Sequence, residues 1–153
     1  MNEKILERVC RTEGMKTGLD LAVMADWVKG LKPWQVISHL TFEWEASQDS
    51  TRRNYEKFMR KKLPAVDYFY AVERNPSRDG NHVHALWHRP MEICRKAAWS
   101  EWFNRYGRAR IEPVRSSEDV TGYCAKYVTK EGAWWNVKLL SPPGAVTENG
   151  IFL

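Results

Sequence analysis

Apolar and polar positions change period several times along this chain, and each change predicts an element. From Leu19 to Gly30 the apolar Ala22, Val23, Trp27 and Val28 keep helical spacing, and Gly30 with Pro33 ends the run. Trp34 to Trp44 alternates as a strand does. Ser50 is placed to cap a helix over Thr51 to Leu63, in which Tyr55, Phe58 and Met59 form one apolar stripe, and Pro64 stops it. Val66 to Arg74 and His82 to His88 are β-rich runs joined by the turn formers of Asn75 to Gly80, and they read as a hairpin. Ile93 to Tyr106 is helical, with Trp99, Trp102, Phe103 and Tyr106 at i, i+3, i+4 and i+7 as an expected core stripe. Arg108 to Val114 is a short strand. Ser116 and Ser117 cap a helix over Glu118 to Lys130 that Gly132 ends, and Ala133 to Leu139 is a last strand.

From Trp34 onward the order is β-α-β-β-α-β-α-β. That order defines an α+β class: a central antiparallel sheet of about five strands with flanking helices. The chain divides into an N-terminal helical extension (1–33), one domain (34–140) and an irregular tail (141–153) containing Pro142, Pro143, Gly144 and Gly150. At 153 residues, 43% of them hydrophobic and 28% charged, it is globular rather than disordered and has room for one core. No apolar stretch is long enough for a membrane-spanning helix, and the first residues lack the apolar segment of a secretory signal. Cys10, Cys94 and Cys124 are odd in number and not closely paired, which argues for a reducing cytoplasm and against a disulfide framework. The net charge of +5, with eight Trp, six Tyr and five Phe, suits a base-stacking nucleic-acid binder. It suits a Trp-rich core as well, and composition alone favours the core.

Three side chains change that picture. On a strand, His82 and His84 point to one face with Cα atoms about 6–7 Å apart, close enough for both imidazoles to hold one metal ion. Val83 between them points into a core. His88 shares their parity but stands about 13 Å from His84 along a straight strand, too far to join them. Glu73 ends the preceding strand, and the turn returns it beside the histidines, where cross-strand Cβ atoms are about 5 Å apart. Two nitrogens and one carboxylate leave room for phosphate and water and suit Mg²⁺ or Mn²⁺. A salt bridge from Glu73 to Arg74 or Arg78 is the structural alternative.

Downstream, Tyr123, Tyr127 and Lys130 share one helical stripe, with Lys126 one turn from Tyr123 and Lys130. A phenol with a pKa near 10 attacks poorly unless a cation or metal stabilises its phenolate, and the lysines supply that charge. A helix with an aromatic core stripe and exposed lysines is the structural alternative, and it wins for this motif taken alone. The basic face of the 51–63 helix, with Arg52, Arg53 and Lys57, is either a solvated surface or a contact for nucleic-acid phosphates.

His82-Val83-His84 resembles the metal motif of the HUH endonucleases, and Tyr123-Cys124-Ala125-Lys126 resembles their nucleophile motif. Ile37-Ser38-His39-Leu40-Thr41-Phe42 is similar to the first motif of the rolling-circle replication initiators in that superfamily. The motif order, the preceding glutamate and the 39 residues from His84 to Tyr123 match initiators of phages, plasmids and small circular DNA viruses. Conjugative relaxases, whose tyrosine precedes the histidines, do not fit. The resemblance spans about Val36 to Lys130. It implies an RRM/ferredoxin-like nuclease fold and site-specific nicking and joining of single-stranded DNA at a replication origin through a 5′-phosphotyrosine link. It also implies Glu73, His82 and His84 as metal ligands. Tyr123 is the favoured nucleophile and Tyr127 the alternative, with Lys126 or Lys130 steadying the phenolate. Thr41 is structural or faces DNA. No GxxxxGK[ST] loop is present in this sequence, which is expected of a bare nuclease or of a nuclease domain alone. Unwinding is then left to a host helicase or to an origin strand already exposed, with a host polymerase as a further partner. Two other readings compete: an RRM-like binder stacking bases on Tyr68, Tyr70 or Trp44, and a hydrolase of small phosphoesters.

Overall fold

The computed structural model describes residues 18–124, 126 and 134–140. Within them the elements run α1 (Gly18–Leu31), β1 (Val36–Leu40), α2 (Gln48–Lys62), β2 (Asp67–Arg74), β3 (Asn81–His88), α3 (Arg95–Arg105), β4 (Ala109–Pro113), α4 (Ser117–Tyr123) and β5 (Trp134–Lys138). The strands form one sheet in the order β4-β1-β3-β2-β5, with every neighbouring pair antiparallel. The predicted α+β class, element order and hairpin are all present. Cys10, Tyr127, Lys130, Gly132 and the 141–153 tail lie outside the described residues. Among the described residues no helix is long and apolar enough to cross a membrane.

Strand periodicity sends alternate side chains to two different cores. On one face Tyr68, Tyr70, Val72, Val83, Ala85 and Trp87 pack under Tyr55, Phe58 and Met59 of α2 and Trp102 of α3. On the other, Phe69 and Leu86 meet Met24, Val28 and Leu31 of α1 and Val120 and Tyr123 of α4. Met24, Val28 and Leu31 of the N-terminal segment thus contribute part of a core. Burying several such large side chains on each face, at about 1.5–3 kcal/mol apiece, fixes the strand register.

Two glycines hold the site end of the sheet. Gly80 closes the β2–β3 turn at φ 97°, accepting the Asn75 N–H at 2.9 Å. At Gly107 a Cβ would stand 2.8 Å from the Thr41 carbonyl oxygen, so only glycine lets the chain before β4 lie against the end of β1.

Two local expectations are corrected. The cap of α2 is Ser47, whose Oγ accepts the Ser50 N–H at 3.1 Å, and not Ser50. The first turn carries only polar residues, so an apolar stripe cannot reveal it. In α3, Trp102 is buried, but Trp99 and Phe103 are 41% and 45% exposed and stack on each other at 4.8 Å. At 100° per residue both fall to the same side of Trp102, over edge strand β4, where the Trp99 indole N–H donates to the Ala109 carbonyl at 2.9 Å.

Candidate active site

β3 carries the centre. Val83 is fully buried in the core beneath, so His82 and His84 stand together on the opposite face. The hairpin register sets Glu73 across from His82, and β1 sets His39 across from His84. The Nε2 atoms of His82 and His84 are 2.9 Å apart. Glu73 Oε2 lies 3.5 Å from the first and 3.2 Å from the second. His39 completes a group of three histidines whose ligand nitrogens fall within 4.8 Å of one another. Two nitrogens bound at right angles to one ion, each about 2.1 Å away, stand about 3 Å apart. The spacing found is therefore that of neighbouring ligands, and the donor set fits a metal ion. Asn75 Oδ1 lies 2.7 Å from His82 Nδ1. A carbonyl oxygen can only accept, so this contact keeps the proton on Nδ1 and turns the Nε2 lone pair toward the group.

Sequence reading selects Glu73, His82 and His84, which meet here, and misses His39. Its signal was a histidine inside the run from Ile37 to Phe42. Only the β1–β3 register shows that it faces His84. His88 stands at the other end of β3, its Nδ1 3.0 Å from Asp67 Oδ2.

Burial lowers the pKa of all three imidazoles. His82 falls to about 4, with His39 and Arg78 adding to the effect, and His84 to about 2, with His39, His82 and Lys126 adding. His39 falls below its ordinary value through burial and the charges of Arg110 and Lys126. The imidazoles are therefore neutral near pH 7, the form that ligates a metal. Arg78, Arg110 and Lys126 make the surroundings positive, which favours an anion such as a phosphate.

Tyr123 is buried on α4, and its hydroxyl donates to the main-chain carbonyl of His84 at 2.8 Å. α4 is thereby tied to the strand that carries the centre. Cys124 and Lys126 continue the helix as a wider, π-type turn, and Lys126 is exposed. The Thr41 hydroxyl donates to the Arg108 carbonyl at 3.1 Å, extending the β1–β4 contact. Arg52, Arg53 and Lys57 lie on α2, across the sheet from the histidines. Arg52 pairs with Asp49 at 3.3 Å and lies 4.0 Å over the Trp134 ring, whereas Arg53 and Lys57 are exposed. Tyr68 and Tyr70 are buried on the α2 face and offer no open platform for bases, while Trp44 is 43% exposed.

An antiparallel sheet with histidines and a carboxylate converging on one face, beside a tyrosine- and lysine-bearing helix, defines an α+β protein built around a candidate metal centre. The family model of the replication-associated proteins matches residues 39–132, and the chain belongs to that family. The matched span starts at His39 and takes in Glu73, His82, His84, Tyr123, Lys126, Tyr127 and Lys130. Membership links the chain to DNA replication. Neither a curated protein nor a solved structure is found to match it.

Proposed function

We propose that the protein initiates rolling-circle replication by nicking and rejoining single-stranded DNA at an origin, through a tyrosine that becomes covalently bound to the new 5′ end. The observation that carries this reading is the convergence of Glu73, His39, His82 and His84 on the sheet face against which the tyrosine helix packs. Family membership supplies the link to replication.

A divalent ion held by these residues would polarise a non-bridging phosphate oxygen and offset charge in the transition state. Three imidazoles beside one carboxylate favour Mn²⁺ over Mg²⁺, because Mg²⁺ prefers oxygen donors and water. The phenol oxygen bonds to phosphorus as the phosphorus–O3′ bond breaks. The phenol proton is lost, and the departing 3′ oxygen takes one up. Because the phosphotyrosine keeps the bond energy, the 3′-hydroxyl can attack it and rejoin the strand.

A specific observation favours Tyr127 over Tyr123 as the attacking residue. The Tyr123 hydroxyl is buried and already bonded to the His84 carbonyl, a place suited to anchoring α4. Lys130 follows Tyr127 by three residues, as Lys126 follows Tyr123. On this reading Lys130 steadies the Tyr127 phenolate, and Lys126, beside His39 and His84, contacts the phosphate.

The test is incubation of the protein with a labelled single-stranded DNA pool of random sequence and Mn²⁺, followed by denaturing electrophoresis. A shifted, protease-sensitive band that needs the metal and is lost in Tyr127→Phe is expected. Loss in Tyr123→Phe alone would move the nucleophile to Tyr123, and no adduct under any metal would overturn the nicking reading.

A further inference from the structure

We infer that the DNA strand leaves the histidine centre along the edge of the sheet formed by β1 and β4, held by Arg110 and Arg115. The inference takes its substrate from the nicking reading above. Arg110 stands directly across from His39 in the β1–β4 register, so its side chain lies on the same face as the centre and next to it. Two residues along β1, about 6.6 Å away, Ile37 stands across from Glu112 on that face. There the surface sinks into an open depression of about 240 Å³, lined by Ile37, Arg110, Glu112, Pro113, Arg115 and Asp119.

The lining suits one strand of nucleic acid. Arg110 and Arg115 are both exposed, and guanidinium forks bind phosphate oxygens in pairs. Ile37 and Pro113 give an apolar floor for a sugar or the face of a base. Glu112 holds Arg110 Nε at 3.0 Å, and Asp119 Oδ2 accepts the Arg115 N–H at 2.9 Å. These two carboxylates can accept from the amino groups of bases. Arg53 and Lys57 of α2 form a rival basic surface, but the whole sheet separates them from the centre. A strand whose phosphate sits at His39 and His84 meets Arg110 first.

The experiment measures binding of a fluorescein-labelled single-stranded DNA 20-mer of random sequence to the full chain by anisotropy, without divalent metal, at two salt concentrations. Arg110→Ala with Arg115→Ala is compared with Arg53→Ala with Lys57→Ala, which removes the same charge from the other face. The first pair should weaken binding about tenfold or more and flatten the log–log salt dependence by about 1.4. The second should change affinity less than about twofold. Glu112→Gln, which releases Arg110, should tighten binding. Equal losses in the two pairs, or the larger loss in the α2 pair, would overturn the path. An adduct formed normally by a chain whose binding ignores Arg110 and Arg115 overturns the path and leaves nicking intact. Binding lost as expected, with no adduct from the unaltered chain, supports the path and overturns nicking.

Discussion

An imidazole can ligate a metal only while it is neutral, and burial enforces that state at His39, His82 and His84. Their folded pKa values, about 4 at His82 and about 2 at His84, lie below the ordinary 6.5. As pH falls, the unfolded chain therefore takes up protons before the folded one does. Stability of the metal-free protein should be complete above pH 6.5 and decline as pH drops from there toward 4, by on the order of 1–3 kcal/mol. Urea unfolding between pH 7.5 and 4.5 measures this. The double variant His82→Asn with His84→Asn should flatten the profile, and an unchanged slope would contradict the assignment. Glu73, His82 and His84 were legible in the sequence because strand parity and one tight turn are local rules. His39 was not, because its place depends on pairing with a strand far along the chain. Nor could spacing show that the Tyr123 hydroxyl bonds a buried carbonyl, since helical period gives a side chain's direction and not its partner.

The elements are held at their far end by a second polar group. Asp67 opens β2 and is buried, accepting the Leu140 N–H at 2.6 Å, bonded to His88 Nδ1 at 3.0 Å and ion-paired with Lys32 Nζ at 3.8 Å. Burial alone would raise its pKa, but the bonds to His88 and Leu140 and the Lys32 charge outweigh it and hold the carboxyl below its ordinary value. The stability this group contributes is present above pH 3.8 and is lost as pH falls further. One carboxylate so joins the end of α1, both hairpin strands and the chain after β5. Asp67→Ala should cost about 3 kcal/mol, because it leaves buried donors without their acceptor. It should leave Mn²⁺ affinity unchanged, since the histidine group sits at the opposite end of the hairpin. Urea unfolding and calorimetric Mn²⁺ titration check both halves, and lost metal affinity with intact stability would contradict this division. At this scale the hairpin and helix order were readable from periodicity. The cap at Ser47 was hidden by a polar first turn. The outward turn of Trp99 and Phe103 was hidden because an i, i+3, i+4 stripe is wider than the strip that α3 buries.

Across the whole molecule the sheet separates two tasks. One face is closed by α2 and α3 over an aromatic-rich core that includes Tyr55, Tyr70, Trp87 and Trp102. The other is shared by a smaller core under α1 and α4 and by the histidine centre, with Arg78, Arg110 and Lys126 around it. A net charge of +5 says little by itself, but Arg78, Arg110 and Lys126 place part of the positive charge beside His39, His82 and His84. Most of the aromatic excess belongs to packing, as composition favoured. Among the described residues the exceptions are Trp44, Trp99 and Phe103 at the surface, while Tyr123 packs in the smaller core and also bonds the His84 carbonyl through its oxygen.

The most direct measurement is mass spectrometry of the protein after reaction with single-stranded DNA and Mn²⁺, followed by nuclease and protease digestion. A nucleotide joined through its 5′ phosphate to Tyr127, or to Tyr123 in its place, and absent when the metal is chelated, is the expected result. Cut DNA with both tyrosines unmodified would contradict a covalent tyrosine mechanism, and DNA left whole would contradict nicking itself.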